Sequence, residues 1–86
     1  MAMTKNETRL LRYYLKKGVT TFTENLKEIA EKTGLSRATV QRINDSLRSR
    51  GLLDWIPGHL LHCGGENRYS ISAKLVDGYK RRRLEQ

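Results

Sequence analysis

The residues best suited to chemistry in this 86-residue sequence lie between Ser36 and Arg50. Val40, Ile43 and Leu47 recur at helical spacing, so the stretch predicts a helix with one buried stripe and one solvated face. The solvated face carries Ser36, Arg37, Ala38, Gln41, Arg42 and Asp45. By donor geometry, Arg42 can fork onto guanine O6 and N7, Gln41 onto adenine N6 and N7, and Ala38 can touch a thymine methyl. Ser36 and Arg37 suit phosphate instead. Thr39 and Arg48 complete the candidate set on this helix. No catalytic constellation competes with it. Glu24, Glu28 and Glu31 are expected to be helix-surface partners, Ser36 is better explained as a helix cap than as a nucleophile, and no Gly-rich phosphate loop follows a strand.

Composition favours the same partner. Seventeen Lys and Arg against nine Asp and Glu give a net charge of +8, which raises the local concentration of any polyanion. Residues 36–52 carry four positive groups and one negative, residues 73–86 carry five and two, and residues 53–72 carry one and two. Positive density therefore peaks in Arg37–Arg50 and in Lys80, Arg81, Arg82 and Arg83. The apolar runs are too short to span a membrane or form a signal peptide, and a cytoplasmic, nucleoid-associated protein is expected. Cys63 is the single cysteine, so no internal disulfide can form, which suits a reducing compartment.

The elements that must hold these residues can be read in order. Thr4 to Glu7 fits a capping box, and Leu11, Tyr14 and Leu15 continue a first helix over about 5–17, ended by Gly18. Val19 to Phe22 is β-branched and aromatic, able to pair with a later hairpin. Thr23 is expected to cap a second helix, Glu24 to Thr33. Its inner face holds Leu26, Ile29 and Ala30; Lys27/Glu31 and Glu28/Lys32 form i,i+4 pairs outside. Gly34 stops it, Leu35 turns inward, and Ser36 caps the third helix, which Gly51 closes. Leu52–Ile56 and Arg68–Ile71 predict two strands of a hairpin joined by a Gly-rich loop, with Tyr69 and Ile71 inward. Trp55 is expected to pack rather than to read bases. The last segment, Ser72 onward, predicts a short helix broken at Gly78, or a basic tail.

Leu26, Ile29, Ala30, Gly34, Leu35, Val40 and Ile43 occupy the positions that two helices crossing at a tight turn must keep apolar or small. The segment LKEIAEKTGLSRATVQRINDSLRSRGLL resembles the winged helix-turn-helix superfamily, including small bacterial, plasmid and phage regulators and the modules of plasmid replication initiators. The resemblance covers about residues 5–72. It implies an α+β fold of three helices and a C-terminal β-hairpin wing, with residues 1–72 as the DNA-binding domain and 73–86 as a short helix or basic tail. It further implies that the helix from Ser36 enters the major groove of double-stranded DNA, commonly as a homodimer on a pseudopalindrome. One departure stands out. Residues 57–67 hold no Lys or Arg and include Glu66, whereas wings in this superfamily often carry a basic tip. Gly58, Gly64, Gly65 and Asn67 can still offer backbone amides to phosphate, with Arg68 as the cation at the base of the hairpin.

His59, His62 and Cys63 share the wing loop, but a structural zinc site needs four ligands with paired spacing, and no fourth is nearby. No metal, cofactor or small-molecule ligand is expected. The alternatives to a transcriptional regulator are a replication, partition or excision factor using the same helix on repeated sites, and a protein-binding winged helix. An RNA binder is disfavoured by the lack of an aromatic stacking platform.

Overall fold

A computed structural model describes residues 3–61 and 66–85. Its elements run α1 (Lys5–Leu15), β1 (Thr21–Glu24), α2 (Leu26–Thr33), α3 (Arg37–Ser49), β2 (Leu53–Ile56), α4 (Gly58–Leu61), β3 (Asn67–Ile71) and α5 (Ala73–Glu85). The first three main helices each begin at a side chain that accepts from a free amide. Thr4 and Glu7 close the predicted capping box, with bonds of 3.1 and 3.3 Å. Asn25 accepts from the Glu28 amide at 2.8 Å, and Ser36 from the Thr39 amide at 3.1 Å.

The start of α2 differs from expectation. Asn25, not Thr23, is the cap, because Thr23 and Glu24 are held in β1 by pairing with Arg68 and Asn67 of β3. Glu24 is thereby turned inward. It is 3% exposed, accepts from the Tyr13 hydroxyl, and pairs with Lys17 at 3.0 Å and Lys32 at 3.2 Å. Lys32 thus reaches Glu24 rather than Glu28. Burial alone would raise the Glu24 carboxyl; the Tyr13 hydroxyl and the two ammonium groups outweigh it and hold the group below its ordinary value.

The turn between α2 and α3 behaves as the glycine predicts. Gly34 sits at φ 74°, and its amide and that of Leu35 both return to the Ala30 carbonyl, at 2.9 and 3.2 Å. A Cβ built there would meet nothing closer than Arg9 Nη1 at 3.9 Å, so the constraint is conformational rather than steric.

The sheet has the order β1-β3-β2, antiparallel throughout, so the short strand ahead of α2 becomes an edge of the hairpin sheet. Leu53, Tyr69 and Ile71 face inward and Asp54, Arg68 and Ser70 outward. Two later elements are more ordered than expected. The wing loop opens with the single helical turn α4, where the Gly58 amide donates to Asn67 Oδ1 at 3.1 Å. α5 runs unbroken through Gly78, because Val76 is buried in the core with Leu75 and Tyr79 packed against it, which offsets the roughly 1 kcal/mol a helical glycine costs relative to alanine.

The core collects Leu10, Tyr14, Ile29, Val40, Ile43, Leu47, Leu53, Tyr69, Ile71 and Val76. Tyr14, Phe22 and Tyr69 meet ring to ring, with centroids 5.4 to 5.9 Å apart. The Tyr14 hydroxyl donates to Asn44 Oδ1 at 2.7 Å. Both groups are buried, so each supplies the partner that water would otherwise provide.

Two expectations follow. Gly34→Val forces a β-branched residue into the left-handed region and should cost on the order of 1–3 kcal/mol; urea unfolding checks it, and an unchanged midpoint would refute the turn's role. Glu24, with its lowered carboxyl, contributes stability that is complete above the ordinary carboxylate range and is lost as pH falls through its folded value. Melting temperature should therefore drop on acidification. Glu24→Gln should lower it at neutral pH and flatten this acid dependence, Glu7 supplying the remaining slope.

Candidate nucleic-acid interface

α3 is gripped from behind by four buried side chains, Val40, Ile43, Asn44 and Leu47. Its outer face is left to solvent. Ser36, Arg37, Ala38, Arg42, Asp45 and Arg48 are exposed, and Thr39 and Gln41 are half-buried. The Ser36 hydroxyl donates to Thr39 Oγ1 at 2.9 Å while accepting the Thr39 amide, so these two residues hold each other at the helix start. The Arg37 and Ala38 amides ahead of them have no partner among the described residues, which makes the N-terminus of α3 receptive to a phosphate.

Gln41 Nε2 donates to Asp45 Oδ1 at 3.1 Å. That bond uses one of two N–H groups and fixes the carboxamide plane, leaving the other N–H and the carbonyl for an outside partner. Arg37 and Arg42 form no ion pair among the described residues. Arg42 does lie close enough to help, after the Thr4 backbone N–H and Arg50, in holding the Glu7 carboxyl below its ordinary value.

Arg48 is placed differently from its neighbours. Its guanidinium stacks 3.4 Å from the centroid of the Trp55 ring, while Nε donates to Asp54 Oδ1 at 2.9 Å and Nη2 to the Trp55 carbonyl at 2.8 Å. Two of its N–H donors are thus engaged within the fold, strapping the end of α3 to β2. Trp55 packs in turn against Tyr69, 6.1 Å between centroids, which agrees with a packing role.

The remaining candidates are dispersed. Arg68 is exposed on the outer face of the sheet, between Thr23 and Ile56. Lys80, Arg81 and Arg82 are exposed on α5, and Arg82 lines a groove with Arg12 and Lys16 of α1 rather than with α3. The side chains of His59 and Arg83, and residues His62, Cys63, Gly64 and Gly65, lie outside the described residues. Among the described residues no group of three His, Cys, Asp or Glu is placed to hold a metal ion. Asn44 is a positioning residue that the sequence reading missed. Its signal was a polar side chain beside Ile43 on the inward face of the helix.

Residues 20–57, from the approach to β1 through the end of β2, match the IclR helix-turn-helix domain. With three helices, the Gly34 turn and the three-stranded sheet in place, that match agrees with the geometry. The fold is a winged helix-turn-helix. The matched domain is a DNA-binding domain of transcription regulators, and it takes in β1, α2, α3 and β2 while leaving α1, α4, β3 and α5 outside. No curated protein and no solved structure matches the chain significantly. No described helix of this winged helix-turn-helix is long and apolar enough to cross a membrane.

The Arg48 strap yields a direct expectation. Arg48→Ala and Arg48→Lys should each destabilise the fold by about 1 kcal/mol, since an ammonium cannot both stack flat and donate in two directions. Trp55 is the only tryptophan, so its fluorescence reports both the unfolding midpoint and the loss of the stacked cation. Full stability and unaltered emission in Arg48→Lys would refute the strap.

Proposed function

We propose that this protein is a small transcriptional regulator that binds double-stranded DNA sequence-specifically, with α3 in the major groove. The observation that carries the proposal is the outer face of α3, exposed along its length and anchored behind by four buried residues. Arg42 is the guanine reader and Gln41, oriented by Asp45, the adenine reader; Ala38 meets a thymine methyl. Ser36, Arg37 and Thr39 sit at the helix start, where the free amides and the Arg37 guanidinium hold a phosphate and set the register. Asp45 acts through Gln41. Arg48 acts chiefly through β2, fixing the wing relative to the reading helix, and Arg68 supplies a phosphate contact from the sheet.

One such module covers a small interface. Two copies related by a twofold axis place two α3 helices in successive major grooves, which is the arrangement for a homodimer on a pseudopalindrome. The site of action is the nucleoid, in the cytoplasm.

The test begins with an operator selected from random duplexes by the protein itself, followed by salt titrations on operator and scrambled DNA. Arg42→Ala should lose roughly 1–3 kcal/mol on the operator and relax preference at one base pair, while binding to scrambled DNA changes little. Gln41→Ala should act the same way at a neighbouring position. Footprinting should show two protected half-sites about one helical turn apart. Unchanged discrimination in both variants would overturn α3 as the reader.

A further inference from the structure

A second cationic surface lies on α1. Lys5, Arg9, Arg12 and Lys16 recur at i, i+4, i+7 and i+11, one stripe of the helix, and all four are exposed. Lys32, from the last turn of α2, joins them around an open groove of about 650 Å³ walled also by Met3, Tyr13 and Thr33. A second groove on the far side of Arg12 and Lys16 adds Arg82 from α5. Among the described residues no carboxylate lines either groove. Arg9 donates to the Thr33 carbonyl at 3.4 Å and Lys32 is held by Glu24, whereas the side chains of Lys5, Arg12 and Lys16 form no ion pair or hydrogen bond among the described residues. Like charges at this spacing destabilise an isolated helix, which opposes what Arg9 gains from Thr33 and what Arg12 and Lys16 gain at the C-terminal end of α1.

Its direction matters. α1 meets α3 through its opposite side, where Leu10 and Tyr14 are buried and Tyr14 bonds Asn44 on the inner face of α3. The stripe therefore lies on the side of α1 away from its contact with α3, and Arg9 alone reaches the α2–α3 turn, at Thr33. The stripe spans about 16 Å at 1.5 Å per residue. Over that length a duplex presents roughly ten phosphate charges, one per ~1.7 Å, a linear polyanion matched to a linear row of cations.

We propose that the α1 stripe, with Lys32 and Arg82, is a second surface for the backbone of double-stranded DNA, so that one protein molecule holds two duplex segments at once. The inference rests on the reading of α3 as the holder of the first. The stripe offers cations without base-reading amides, so its binding is independent of sequence and falls steeply with salt.

The experiment mixes a donor-labelled operator duplex with an acceptor-labelled scrambled duplex and follows energy transfer on adding protein. The wild type should bring the two together at low salt. The triple variant Lys5→Gln, Arg12→Gln, Lys16→Gln removes side chains with no ion-pair or hydrogen-bond partner among the described residues; it should keep operator affinity within about twofold, since α3 is untouched, and lose pairing at least about tenfold, as three phosphate contacts imply. Arg42→Ala should show the converse, losing operator preference while two scrambled duplexes are still paired. Pairing that persists in the triple variant would assign it to the α3 of a second copy and overturn the proposal, as would operator binding by the wild type without pairing. Poly-glutamate bound by the wild type in preference to scrambled duplex, and released by the triple variant, would mark an acidic protein as the occupant and equally overturn it. Failure of the α3 reading appears separately, as absence of operator preference with the donor duplex alone; the triple variant then decides the stripe on scrambled duplexes.

Discussion

The hydrogen bond from Tyr14 to Asn44, made inside the apolar core, is the contact on which the rest of the arrangement depends. Asn44 lies on α3, Tyr14 on α1, and the Tyr14 ring stacks on Tyr69 at the centre of the sheet. One buried carboxamide thus fixes the reading helix against the helix behind it and, through the Tyr14 ring, against the strand that carries the wing. Hydrophobic contacts alone tolerate sliding by fractions of a turn; a polar group buried among them has one register in which it is satisfied. Burial also pushes the Tyr14 phenol well above its ordinary value and raises that of Tyr69, so both stay neutral.

Around that centre the charged contacts divide into two kinds. Glu24 is enclosed by Tyr13, Lys17 and Lys32, and it ties β1 to both helices that flank it. Removing one partner there leaves charge without compensation in a dry site, which is why the group matters more than a surface pair would. Arg48 and Asp54 are by contrast half exposed or more, so their ion pair is screened and contributes little by itself. The guanidinium plane on Trp55 makes that contact geometrically specific. It sets the angle between α3 and the hairpin in a wing whose loop brings no cation of its own.

The features legible in the sequence were those carried by local chemistry. The capping box at Thr4, the glycine at 34, the Ser36 cap and the Val40/Ile43/Leu47 stripe each depend on residues within a few positions of one another, and the structure places them as expected. The α2 start was misread because Thr23 and Asn25 are both good caps; what chooses Asn25 is the pairing of Thr23 and Glu24 with Arg68 and Asn67, more than 40 residues on. Gly78 reads as a break because helix propensity is local, whereas the burial of Val76 that overrides it is tertiary. The α3 face was legible because a buried stripe implies its complement. Asn44 and the Arg48 strap were not, since each depends on a partner distant in sequence.

The distribution of charge follows from the same division. A domain this small must place most of its 17 cations at the surface, and neutral pairing with carboxylates would be the least costly arrangement. Instead Glu24 draws in two lysines, Glu7 one arginine and Asp54 another, while Arg37 and Arg42 on α3 and Lys5, Arg12 and Lys16 along α1 form no ion pair among the described residues. Self-repulsion among such cations opposes folding, and it is tolerated here because the interior contacts, Tyr14 with Asn44 and Glu24 with its three donors, do not weaken as the surface charge grows. The fold thereby separates what holds it together from what it presents. Substitutions that neutralise the presented cations leave the interior contacts intact, so they alter the attraction for a polyanion without altering the geometry in which α3 is offered to it.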